Sequence, residues 1–99
     1  MGKTLKKYLL FDLDTTALKE EFGPKRYTVA YSMIRQFLEN CGFEHKQGSG
    51  YLSTEPISLN QIIAIYQAMT EEMPWLDSCS KTMDVGNVRG FYNLKTLSQ

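Results

Sequence analysis

Phe43-Glu44-His45-Lys46-Gln47, then Gly48-Ser49-Gly50, then Tyr51-Leu52-Ser53: two strand-compatible runs flank a glycine turn, which is the pattern of a β-hairpin. A hairpin joins antiparallel strands directly, whereas parallel strands need a crossover of a dozen or more residues. Its place between two helical segments therefore decides the sheet. Upstream, Tyr27, Ala30, Tyr31, Ile34, Phe37, Leu38 and Cys41 recur at helical spacing, with Ser32, Arg35, Gln36, Glu39 and Asn40 on the outer face. Such a stripe predicts an amphipathic helix, with Pro24 near its start and Gly42 past its end. Downstream, Ser58 and Gln61 form a capping-box pattern. Leu59, Ile62, Ile63, Tyr66, Met69 and Met73 then give a second helix, which Pro74 ends.

Thr4 to Leu13 reads as a strand that is apolar on both faces from Tyr8, predicting a central strand buried on both sides. Thr15–Phe22 forms a short helical turn stopped by Gly23-Pro24. Ser78–Val85 is a weaker strand, and Val88–Leu97 a further short strand with a tail that completes its own sheet or crosses to a partner. The order β-α-β-β-α-β predicts an α+β, ferredoxin-like fold, an antiparallel sheet with two helices on one face. At 99 residues the chain predicts a single domain, 1–99, whose small core makes a homodimer interface expected.

Eleven basic and eleven acidic residues cancel, which argues against a broad electrostatic grip on nucleic acid and leaves room for a local basic patch. Cys41 and Cys79 have neither metal-ligand spacing nor a disulfide framework. No run reaches the roughly 18 apolar residues of a membrane span, the apolar run behind the basic start is too short for a signal peptide, and Lys6 breaks a myristoylation signal. A reduced, cytoplasmic protein with no membrane contact is the expectation.

Phe11-Asp12-Leu13-Asp14 places two carboxylates one residue apart. On a strand they share a face, and an acid in an apolar strand is expected to be desolvated, paired or metal-bound. The stretch resembles the first motif of haloacid-dehalogenase phosphatases, in which the first Asp is the phosphoryl acceptor. That family needs a parallel sheet and later motifs, which the hairpin and the chain length exclude.

A second resemblance covers residues 8–81. Phe11-Asp12-Leu13, Tyr27-x-x-Ala30-Tyr31-x-x-Ile34-Arg35, Gly42-Phe43-Glu44-x-x-Gln47-Gly48-Ser49-x-Tyr51 and Trp75 together look like virulence-associated protein D (VapD), and the Gly-Phe…Gln-Gly-Ser-x-Tyr block is the most specific. The resemblance implies a ferredoxin-like homodimer related to small CRISPR-associated nucleases. It also implies an endoribonuclease acting as the toxin of a toxin–antitoxin or virulence-associated system, in some cases restrained by a small antitoxin protein. It makes Asp12 the catalytic acid, with Ser49 and an Asp of the fourth strand as helpers. The chain departs from the family where the fourth strand commonly reads Ser-Val-Arg-Asp-Ile-Arg. Here it is Cys79-Ser80-Lys81-Thr82-Met83-Asp84, so the acid is replaced by Thr82, and Asp84 lies on the same strand face.

Cleaving RNA needs a base for the 2′-hydroxyl or a metal-activated water, with cationic relief for the phosphorane. Asp12 suits a base or a ligand for a divalent metal such as magnesium, and in a two-fold dimer it can meet its mate; the bland alternative is a strand-end cap. Ser49 is a catalytic helper or a turn serine. Arg35 and Lys81 suit RNA phosphates, and Tyr51 stacks a base or packs across strands. Asp14 is expected to cap the first helix, and His45 to be an edge or interface histidine. A non-catalytic dimerisation or antitoxin-binding module with a degenerate nuclease site is the competing class.

Overall fold

In the computed structural model, which describes residues 5–88, eight elements follow one another. They are β1 (Lys6–Leu13), α1 (Thr15–Phe22), α2 (Val29–Asn40), β2 (Phe43–Gln47), β3 (Gly50–Ser53), α3 (Leu59–Glu72), α4 (Leu76–Cys79) and β4 (Ser80–Val88). The strands lie in the order β2-β3-β1-β4, and each neighbouring pair is antiparallel. This is the ferredoxin-like α+β arrangement that the hairpin between two helices dictates.

β1 is central, as its apolar run predicts, but it is not buried on both sides. Leu9, Phe11 and Leu13 are 4–5% exposed, whereas Leu10 on the opposite face is 49% exposed. Tyr8 is half-buried, and Asp12 is exposed. The helices form one layer, so the odd positions of β1 meet Ala30, Ile34, Leu38, Ile62 and Met69 in the core while the even positions face outward. Among the described residues the outward face is only partly covered: Leu10 is exposed, whereas Leu52, which pairs with Tyr8 on the same face, is 3% exposed. The desolvation expected for Asp12 fails for the same reason.

Local chemistry sets the ends of the elements. Asp14 caps α1, its Oδ1 accepting from the Thr16 and Ala17 amides at 3.0 and 3.2 Å. Ser58 Oγ accepts from the Gln61 amide at 3.1 Å, and Gln61 Oε1 accepts from the Ser58 amide at 2.9 Å, completing the capping box of α3. Gly42, at φ +89°, supplies the left-handed turn from α2 into β2. β4 starts two residues later than its sequence suggests, because Leu76–Cys79 winds into one helical turn in which the Cys79 amide donates to the Trp75 carbonyl at 3.0 Å. Beyond Val88, the expected strand over Val88–Leu97 lies outside the described residues.

On the outward face the Tyr8 ring lies over Gly50. A methyl group at Gly50 would come within 2.8 Å of Tyr8 Cζ and closer still to the hydroxyl. Gly50→Ala is therefore expected to cost about 1–3 kcal/mol through overpacking. Urea titration should show a lower midpoint with the same slope, and Tyr8→Ala in the same chain should restore part of the loss.

Candidate active site

Two strands begin beside the C-terminal end of β1. Leu10 pairs with Gly50 of β3, and Leu13 with Ser80 of β4. Between them Asp12 stands directly across from Thr82, and Leu10 across from Asp84. Thr82 and Asp84 thus share the outward face with Asp12, as strand alternation predicts. Asp12 pairs with Thr82 while its neighbour Leu13 pairs with Ser80, so Lys81 is the extra residue of a β-bulge. It is exposed. On the other flank the Phe11 amide donates to the Ser49 carbonyl at 3.3 Å. The fold therefore gathers Asp12, Ser49 and Lys81 at one end of the sheet.

Asp14 is not part of this group. It has left the strand, its carboxylate is used by the α1 cap, and its amide donates to the Cys79 carbonyl at 2.7 Å. The two acids of the opening motif serve different elements.

Arg35 lies on α2, in the helical layer, and its Nε donates to Glu39 Oε1 at 2.6 Å. That hydrogen bond holds its pKa above the usual guanidinium range. Tyr51 is 3% exposed. Its ring stacks on Phe11 with centroids 5.7 Å apart and meets His45 at 4.9 Å. Both neighbours take up aromatic surface, so cross-strand packing is the role this geometry gives Tyr51, and Asp12 faces the other side of the sheet.

Tyr31 escapes a reading by helical stripe, which makes it one more apolar position of α2. It is half-buried, and its pKa is raised first by burial, then by Tyr27, then by Asp12. The first turn of α2 thus brings a neutral phenol within electrostatic reach of the carboxylate. A pair of tyrosines four residues apart was the available signal. Tyr27 itself carries the Lys19 ammonium over its ring, 5.2 Å from the centroid.

Burial also raises the Tyr51 pKa, with Glu39 adding to it and Arg35 opposing. Phenols with raised folded pKa values stay protonated longer in the fold than in the unfolded chain. Their contribution is intact below the unfolded pKa of about 10 and is lost as pH climbs through the folded values. Urea midpoints should therefore fall as pH rises above about 10, and the double variant Tyr31→Phe/Tyr51→Phe should flatten that fall.

Among the described residues no group of three or more His, Cys, Asp or Glu side chains could hold a metal ion. Asp12 offers one carboxylate, and a magnesium ion is commonly held by one or two carboxylates together with substrate phosphates. No described helix is long and apolar enough to cross a membrane.

An exposed carboxylate at the end of the central strand, flanked by a glycine turn and a bulged lysine, defines a ferredoxin-like α+β protein with an acidic strand-end site. No family model matches the chain. Among curated proteins, it is 37% identical over 71 residues to an endoribonuclease VapD homolog of Helicobacter pylori, covering 72% of this chain and 73% of that one. It is 30% identical over 73 residues to endoribonuclease VapD 2 of Riemerella anatipestifer, covering 74% and 78%. Endoribonuclease VapD of Dichelobacter nodosus matches at 33% over 85 residues, covering 84% and 81%. The chain belongs to the VapD family.

Proposed function

We propose that this protein is a small endoribonuclease, with Asp12 as the catalytic base and Ser49 and Lys81 as helpers. One observation carries the assignment: in a chain whose relatives are named endoribonucleases, Asp12 stands exposed at the strand end beside the Ser49 turn and the Lys81 bulge. Asp12 takes the proton of a ribose 2′-hydroxyl, whose oxygen attacks the adjacent phosphorus. The bond from phosphorus to the 5′-oxygen breaks, and that oxygen takes a proton from solvent, leaving a 2′,3′-cyclic phosphate and a 5′-hydroxyl. The Lys81 ammonium relieves charge on the phosphorane, and Arg35 on α2 is a candidate for an RNA phosphate. A divalent ion such as magnesium, held by Asp12 and the RNA phosphates, would supply further charge relief at the phosphorane.

The exposed Leu10 beside Asp12 supports a homodimer in which two Asp12 carboxylates approach and share a divalent ion. Two free cysteines favour a cytoplasmic setting. A toxin role under a small antitoxin rests on the family resemblance alone. A second reading, a non-catalytic dimerisation or antitoxin-binding module, draws on Thr82, which puts a hydroxyl across from Asp12 where the family commonly has an acid. Incubation with total RNA, with magnesium or with EDTA, tests the proposal. Cleavage that survives EDTA and leaves cyclic-phosphate ends supports the base mechanism, and absence of cleavage under all conditions favours the binding module.

A further inference from the structure

The glycine turn that carries Ser49 is held from within by a side chain not assigned to the chemistry. β2 and β3 pair as His45 with Tyr51, then Gln47 with Gly50, so Lys46 is the extra residue of a second bulge. Gly48 follows at φ +51°. This kink brings the His45 ring back over its own turn, where Nε2 lies 2.7 Å from the Gly48 carbonyl oxygen. A carbonyl can only accept, so Nε2 must carry the hydrogen. On its other side the imidazole rests against Tyr51, which stacks on Phe11. The Phe11 amide in turn holds the Ser49 carbonyl.

We propose that His45 is a positioning residue of the active site. Its Nε2–H fixes the Gly48 carbonyl, and so holds Ser49 against β1 next to Asp12. It is not a general base. Strand alternation puts it on the helix-covered face with Tyr51, opposite Asp12.

The inference rests on the nuclease assignment, and its test keeps the two apart. In the intact protein, ring nitrogen NMR should show neutral His45 as the Nε2–H tautomer. In His45→Ala, exchange of the Phe11 amide should rise about tenfold as the turn loosens. In RNA cleavage, His45→Ala should lower kcat about 10- to 100-fold with KM nearly unchanged, the signature of a misplaced reacting group. His45→Gln, whose amide can reach the same carbonyl, should recover part of that loss. An Nδ1–H tautomer, or Phe11 exchange unchanged in His45→Ala, overturns the tie; wild-type kcat in His45→Ala overturns the positioning role. Neither NMR readout needs substrate, so a protein that cleaves no RNA refutes the nuclease assignment and leaves the tie to be judged by the spectra.

Discussion

Trp75→Ala should lower unfolding stability by about 3–5 kcal/mol, the usual cost of emptying a buried aromatic site. Trp75 is 9% exposed and meets Phe22 edge-on, with ring centroids 5.0 Å apart and planes at 82°. It sits between Met73 and Leu76, which are 1% and 0% exposed, so no mobile surface can collapse into the gap. Its carbonyl receives the Cys79 amide, and the Cys79 carbonyl receives the Asp14 amide just beyond the end of β1. Loss of the indole should therefore weaken both the fold and the strand end. Small domains have only about 5–15 kcal/mol to lose. Trp75 is the sole tryptophan, so the variant must be followed by circular dichroism rather than fluorescence. Trp75→Phe should retain most of the stability; a loss under about 1 kcal/mol in Trp75→Ala would show that the ring is dispensable.

Asp12→Asn should do the opposite, abolishing function without touching the fold. Asp12 is exposed, and no salt bridge or side-chain hydrogen bond of this carboxylate occurs among the described residues. The amide is of nearly equal size, and its effect on stability should stay within about 0.5 kcal/mol. An amide cannot accept a proton from a 2′-hydroxyl, so the rate should fall about 100- to 10,000-fold, the range that general base catalysis supplies. Asp14→Asn provides the contrast. Asn is also a good helix cap, so cleavage should continue near the wild-type rate.

The ferredoxin-like order was legible because two physical signals agreed: the glycine turn forces neighbouring antiparallel strands, and the flanking stripes have helical period. The capping roles of Asp14 and Ser58 were equally plain, since a side-chain oxygen before a helix has one obvious use. Leu10 misled, because a continuous apolar run reads the same whether its second face is covered by helices or only partly covered. The helical turn at Leu76–Cys79 was hidden because four residues carry too little periodicity to separate from a strand start. At the site, Asp12 and Ser49 could be named from sequence, but their juxtaposition depends on a long-range backbone bond from Phe11 to Ser49. The Lys81 and Lys46 bulges are properties of strand pairing, invisible along one strand. His45 and Tyr31 acquire their surroundings only when the hairpin and α2 meet the end of β1.

The most direct test of the central claim is the cleavage rate of one RNA substrate by wild-type protein and Asp12→Asn, prepared identically and matched in unfolding midpoint. An Asp12-centred endoribonuclease predicts cleavage by the wild type and a loss of at least about 100-fold in the variant. Equal rates in the two proteins would contradict it.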